Sequence, residues 1–188
     1  MQVSVIKSAA KVVAIALVTV LAGMAATGIG KTGAAFAQEE TQATDPTRGA
    51  VTNLPLPRYV SLKTNEGNAR RGPSLTHRID WVFSRAGMPL RITAEYENWR
   101  RIEDAEGVGG WVHYSLLSGT RTALVTADLL DLRATPLPDG TVLLRAEAGV
   151  IARLLECRPV WCRLSIDGEK GWALKAALWG IDPDESFE

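Results

Sequence analysis

The sequence predicts an all-β protein in which two small β-barrels follow one another in tandem, preceded by an export signal and a disordered spacer. Three observations carry that expectation. The stretch NWRRIEDAEGVGGWVHYSLLSG, residues 98–119, returns in altered form as VWCRLSIDGEKGWALKAALWG, residues 160–180, and self-similarity of this kind marks a repeated structural unit. Leu90, Ile92, Ala94 and Tyr96 alternate with Arg91, Thr93 and Glu95, which is the period-two pattern of a half-buried strand. Turn signals recur at short intervals, as in Glu66-Gly67-Asn68, Arg71-Gly72-Pro73, Glu106-Gly107, Pro138-Asp139-Gly140 and Asp167-Gly168, and that spacing suits a small barrel or sandwich of about five strands.

The first element is the export signal. Lys7 and Lys11 precede an apolar run from Val12 to Gly30 that contains no acidic residue, and Ala35-Phe36-Ala37-Gln38 places small residues at the third and first positions before a cut after Ala37. This is the layout of a signal peptide over residues 1–37 and predicts an exported protein, periplasmic or extracellular. The competing reading is an uncleaved anchor, since the run approaches the roughly 20 residues that span a bilayer. Its glycines and alanines make it a weak one, and cleavage leaves no stable membrane span. No cysteine follows the run to carry a lipid, because the cysteines are Cys157 and Cys162.

The whole chain has 21 basic and 21 acidic residues; without Lys7, Lys11 and Lys31 the balance is 18 against 21, a net charge of minus three. A mature chain of that charge lacks the basic footprint of a nucleic-acid binder. Residues 38–53, rich in Thr, Ala, Gln, Glu and Gly, have too few large apolar side chains to bury and are expected to form a disordered spacer. Order is expected to begin near Leu54.

The remaining residues divide into units at 54–119 and 120–182, with a short tail over 183–188. Ala86-Gly87 stands twelve residues before Trp99, as Ala148-Gly149 stands twelve before Trp161. Asn68 to Pro73 corresponds to Asp131 to Pro136, with Arg third and Pro sixth in each; Gly110-Trp111 matches Gly171-Trp172, and Gly119 matches Gly180. HYSLL and LKAAL near the unit ends are expected to be single helical or 3₁₀ turns. A unit of this size hides only about 60% of the surface its unfolded chain exposes, so the two are expected to lean on each other. Ala123, Leu124 and Val125 look buriable, and Trp81 and Trp179, which lack counterparts in the other unit, are expected at the seam.

The motifs resemble those of bacterial SH3 domains, with an Asn-x-Arg-x-Gly-Pro opening, a central Gly before a strand, a Trp-x-x-aliphatic strand and a closing Gly-Trp-Val. The first unit has them as Asn68-Ala-Arg70-Arg-Gly72-Pro73, Gly87, Trp99-Arg-Arg-Ile102 and Gly110-Trp111-Val112. The second departs at Asp131 and Thr135 but keeps Arg133, Pro136, Gly149, Trp161, Leu164, Gly171 and Trp172. The resemblance spans roughly residues 58–181. It implies SH3-like barrels and a binding role at the cell envelope, in contact with peptidoglycan or its stem peptides.

Strand parity singles out candidate ligand contacts. In Trp161 to Ile166 the apolar set is Cys162, Leu164 and Ile166, so Trp161 points the other way with Arg163 and Ser165. Trp99 likewise shares a face with Arg101 and Glu103, opposite Ile102. An indole on the polar face of both copies is a candidate platform for a sugar or an acidic peptide, with Arg100 and Arg101 near Trp99. The alternative is a second small core, closed over Trp99 by the loop from Pro73 to Asp80. Trp111 and Trp172, beside the last turn, are expected to pack. In eukaryotic SH3 domains the closing strand supplies a Pro and a Tyr to a polyproline groove; here those places hold His113 and Leu116, and in the second unit Leu174 and Ala177. A PxxP ligand is therefore disfavoured, and any use of that groove falls to the first unit through Trp99, His113 and Leu116. LPLPR at residues 54–58 has the look of such a ligand, but an extended lead-in to the first strand accounts for it.

Cys157 and Cys162 flank Arg-Pro-Val-Trp, and two apolar-facing strands joined by a four-residue turn set them opposite one another. In an oxidising compartment a disulfide follows. The spacing is wrong for a CxxC redox site, and a zinc site lacks two further ligands. Catalysis needs a nucleophile or an acid–base group held by a partner, and the two histidines, His77 and His113, fall in different motifs. Asp80, Glu95 and Glu103 occupy polar strand positions whose default is a solvated face. No phosphate loop, metal cluster or cofactor signature appears. The expectation is a non-enzymatic binding module without cofactors; the alternatives are an adaptor or inhibitor offering a strand edge or the seam to a periplasmic protein, and a purely structural tandem barrel.

Overall fold

A computed structural model describes residues 45–188. The expected signal peptide, the cut after Ala37 and the first part of the spacer lie outside the described residues. Among the described residues no helix is long and apolar enough to cross a membrane.

The described chain is built from strands. The first sheet comprises β1 (Arg58–Leu62), β2 (Gly67–Arg70), β3 (Ile79–Phe83), β4 (Pro89–Tyr96), β5 (Trp99–Glu103), β6 (Gly109–His113) and β7 (Leu117–Ser118), in the order β3-β2-β6-β5-β4-β1-β7. The second comprises β8 (Thr122–Val125), β9 (Leu129–Arg133), β10 (Val142–Glu147), β11 (Ile151–Cys157), β12 (Trp161–Ile166), β13 (Glu169–Leu174) and β14 (Leu178–Trp179). Its order, β10-β9-β13-β12-β11-β8-β14, is the first order shifted by seven. Single 3₁₀ turns, Tyr114–Leu116 and Lys175–Ala177, sit where HYSLL and LKAAL predict them.

The duplication extends to individual hydrogen bonds. Gly87 N donates to Leu62 O at 2.7 Å and Gly149 N to Val125 O at 2.8 Å; Tyr114 N donates to Asn98 O and Lys175 N to Val160 O, both at 2.9 Å. Both central glycines have positive φ, 78° at Gly87 and 82° at Gly149, a conformation in which a side chain is strained. The Arg of each opening motif ties the following loop to the sheet. Arg70 donates to the carbonyls of Leu75 and His77, and Arg133 to that of Gly140.

Each sheet encloses its own core. Leu62, Phe83, Leu90, Ile92, Ile102 and Val112 fill the first; Val125, Leu130, Leu132, Leu154, Leu164 and the Cys157–Cys162 disulfide lie in the second. Both barrels belong to one compact unit. At their seam Thr122 Oγ1 donates to Gly87 O at 2.7 Å and Arg85 Nη2 to Gly149 O at 2.9 Å. Trp179 meets the Tyr59 ring edge-on at 5.3 Å, as expected of a residue without a counterpart. Trp81 borders a hollow whose far wall includes Leu124 of the second barrel.

One segment departs from expectation. Residues 45–53, assigned from composition to the disordered spacer, are folded into a turn closed by Gly49 N to Leu54 O and Asn53 N to Gly49 O. The segment is held by hydrogen bonds to one buried carboxylate, so its poverty in apolar residues does not prevent folding. The tail at 183–188 is docked. Phe187 exchanges backbone hydrogen bonds with Cys157, Glu185 pairs with Arg121, and the buried Lys175 ammonium donates to the carbonyls of Pro183 and Glu185. Residues 54–58 form the lead-in to β1, with Leu56 packed on the first core.

Candidate functional site

Strand parity places Trp99 and Trp161 on the outer face of β5 and β12, as predicted, and the two then differ. Trp99 stands opposite His113 on β6, and the imidazole meets the indole edge-on at 5.7 Å. Only 8% of Trp99 is exposed, although it lies outside the first core. Trp99 is thus buried with His113 against it and does not present an open indole face. Its arginines do not form a ligand set. Arg100 is buried, donating to the carbonyls of Glu97 and Trp99, with Nε 3.4 Å from Glu95 Oε1. Arg101 is exposed on the outer face but opens into a separate polar cleft beside Arg71, Asp80 and Trp111.

Of the three residues expected to serve any groove in the first unit, Trp99 and His113 meet each other. Leu116 packs onto the first core. His113 caps the 3₁₀ turn, its Nδ1 2.7 Å from Ser115 Oγ, and its ring leans on Tyr114 at 4.9 Å.

In the second barrel Leu174 and Ala177 occupy the places of His113 and Leu116. Leu174 stands directly opposite Trp161, and with Leu129, Leu130 and Ala177 they line an open hollow of ≈ 570 Å³. Trp161 remains partly exposed in it. The rim is charged: Asp131 binds Arg133 at 2.8 Å and Arg145 at 3.1 Å. An apolar wall carrying one indole beside a paired carboxylate and two guanidiniums can hold a small ligand with an apolar or sugar face and a charged group. Leucine for histidine leaves the indole face without an aromatic cover, which is the chemical difference between the copies.

Trp172 packs as expected, buried beneath the Arg158 guanidinium at 4.6 Å. Trp111 is only partly buried, on the cleft beside Arg101.

The most unusual environment belongs to a residue whose place in the alternation predicts a solvated face. Glu95 has a side chain with 0% exposure. Its carboxylate accepts from Val51 N at 3.0 Å, Thr52 N at 2.8 Å, Thr52 Oγ1 at 2.7 Å and Arg58 Nη2 at 2.5 Å. Burial pushes its pKa up, but the Thr52, Arg58 and Val51 hydrogen bonds outweigh burial and hold it down at about 2. Asp80 and Glu103 are spent in surface ion pairs with Arg71, Arg78 and Arg91. Among the described residues no three His, Cys, Asp or Glu side chains gather as a metal site.

Comparison with known proteins bears on the fold. No curated protein matches the chain. Among solved structures, NlpC2 from Trichomonas vaginalis is similar at 16% identity and a TM-score of 0.31, over 65% of this chain and 48% of that one. NlpC1 from Trichomonas vaginalis gives 17% identity and 0.31, over 70% and 48%; an NlpC/P60 family protein from Bacillus cereus gives 11% and 0.30, over 64% and 55%. The chain spans about half the length of these structures, and at such scores the likeness says nothing of activity or ligand. Against family models the chain matches the bacterial SH3 domain twice, over residues 63–119 and 127–180, which is more than half its length. With the same seven-strand order found in both sheets, the chain belongs to the bacterial SH3 domain family, as a tandem pair.

Proposed function

We propose that this protein is a non-catalytic binding module of the cell envelope, exported to the periplasm or beyond, that contacts peptidoglycan or its stem peptides through the Trp161 groove of the second barrel. The observation that carries the reading is the contrast between the copies: Trp99 is covered by His113, whereas Trp161 lines an open hollow with Leu174 and a charged rim. Family membership supports a binding role, and the leader-like pattern of residues 1–37 supports export. The described residues also favour a role without catalysis. His113 Nδ1 is engaged by Ser115 in a local cap, Glu95 is sealed, and Asp80 and Glu103 are neutralised by arginines.

Co-sedimentation of the purified chain with purified sacculi tests the proposal. The wild type is expected to pellet with the sacculi, and Trp161→Ala to bind about tenfold more weakly, the loss of about 1.4 kcal/mol ordinary for a contributing aromatic contact. A wild-type chain that stays in the supernatant overturns the reading.

A further inference from the structure

We infer that the cleft beside Trp111 on the first barrel binds an acidic sugar, a pyranose carrying one carboxylate. This inference is independent of the Trp161 groove, which lies in the other barrel. The cleft has a volume of ≈ 360 Å³, at the small end of ligand sites, which run from about 300 to 1,000 Å³. On the outer face of the sheet Ala94, Arg101 and Trp111 stand side by side across β4, β5 and β6. Gly109, two residues before Trp111, adds no side chain, so the wall beside the indole is bare backbone.

The second barrel shows the same row closed. There Glu156, Arg163 and Trp172 stand side by side. Glu156 binds Arg158 at 2.8 Å, and the Arg158 guanidinium covers the Trp172 ring at 4.6 Å, leaving that residue 8% exposed. The first barrel has Ala94 in the place of Glu156 and Tyr96 in that of Arg158, so both the cap and the carboxylate that holds it are replaced. Among the described residues the cation–π contacts fall on Tyr59, Tyr114, Phe187 and Trp172, not on Trp111, and Trp111 stays partly exposed. Lys170 and Ala134 of the second barrel stand where the cleft has Gly109 and Arg71.

Three features together select the ligand. The indole offers an apolar bed for the C–H face of a sugar ring. The cleft carboxylates supply acceptors for ring hydroxyls: each Asp80 oxygen takes a single arginine bond, from Arg71 or Arg78, and Arg91 engages Glu103 through Oε1 alone, leaving Oε2. Arg101, exposed opposite Trp111, has no carboxylate partner among the described residues, so its guanidinium can take a carboxylate bidentately. Asp80 and Glu103 also limit the ligand's charge, since a dianion such as a phosphate monoester would be repelled by both. Arg70 is tied to its loop, donating to the carbonyls of Leu75 and His77. Asp104 and Glu106 line the separate hollow beside Trp81, and Asp104 is spent on the backbone N–H groups of Glu106 and Val108. A neutral sugar would leave the Arg101 guanidinium unused, and a simple carboxylate would leave the indole and the acceptors unused.

The test is an NMR titration of the full chain with methyl β-glucuronide, methyl β-glucoside and acetate, following the Trp111 indole N–H signal. The glucuronide should shift that signal saturably. The glucoside, which has the ring without the charge, and acetate, which has the charge without the ring, should each bind at least about tenfold more weakly. Arg101→Gln should bring the glucuronide down to the affinity of the glucoside. Ala94→Glu/Tyr96→Arg, which rebuilds over Trp111 the cap of the second barrel, should abolish the shift while circular dichroism shows the chain equally folded. In the wild type alone, an absent or unsaturable Trp111 shift, or equal affinity for the glucuronide and either fragment, would overturn the inference. Trp161→Ala, whatever it does to sacculus binding, should leave the Trp111 titration unchanged, so the two proposals fail separately.

Discussion

Glu95 shows how one backbone irregularity redirects a side chain. The register between β4 and β5 slips between Ile92 and Ala94, a bulge that reverses the parity of the residues beyond it. Leu90 and Ile92 point inward as the alternation predicts, but past the bulge Glu95 turns in and Tyr96 turns out. Period-two alternation runs through such a slip without a signal, which is why the sequence pattern puts Glu95 in solvent. Because its folded pKa of about 2 lies below the ordinary 4.5, the folded state binds the proton less tightly than the unfolded chain. Its stabilisation is complete above pH 4.5 and lost as pH falls from there through about 2, a contribution on the order of 3 kcal/mol. Thermal melts across that range should show the loss in the wild type and a flatter profile in Glu95→Gln, which starts less stable. Gly49→Ala should cost about 1–3 kcal/mol, since a Cβ there would meet the Glu95 carboxylate at 2.3 Å; an unchanged denaturation midpoint would mean the turn does not hold this carboxylate.

At the scale of elements the second copy repeats the bulge, between Leu154 and Glu156, and so sets Cys157 where the first has Glu95 and Cys162 where it has Arg100. One barrel closes this corner with a buried ion pair, the other with a disulfide. The segments flanking the two barrels share the same plan, residues 51 and 52 lying on Glu95 and Phe187 bridging to Cys157. Closing the six-residue Cys157–Cys162 loop is worth about 2 kcal/mol on the chain-entropy model. Cys157→Ser should therefore lower the melting temperature under oxidising conditions, and reductant should bring the wild type down to the variant; an equal deficit in reductant would assign the loss to packing. Most strands, both 3₁₀ turns and the cysteine pair are legible in the sequence, because each rests on local alternation or spacing. Glu66-Gly67-Asn68 misleads: it signals a turn, yet Gly67 starts β2, where a Cβ would lie 2.7 Å from Leu62 Cδ1. The folded segments at 45–53 and 183–188 are hidden because their partners, Glu95 and Cys157, are distant in sequence. The difference in cover between Trp99 and Trp161 is hidden from the sequence, since it depends on a ring across the strand pair.

For the whole molecule, two barrels that each hide little surface gain a shared seam, whose contacts predict that they fold as one cooperative unit. Trp179 reaches Tyr59 from β14, and Arg121 lies over the same Tyr59 ring at 5.8 Å. Trp179→Ala should lower stability by about 1–3 kcal/mol and split a single calorimetric transition into two; one unchanged transition would show that the barrels do not depend on this contact. The duplication also frees the copies to diverge, the first covering Trp99 and leaving Trp111 uncapped, the second capping Trp172 and opening a groove at Trp161. The most direct test of that division follows the six tryptophan indole N–H signals by NMR during titration with soluble muropeptides. The Trp161 signal is predicted to shift and saturate while that of Trp99 stays in place. A shift at Trp99 with Trp161 unmoved, or no shift at either, would contradict the account.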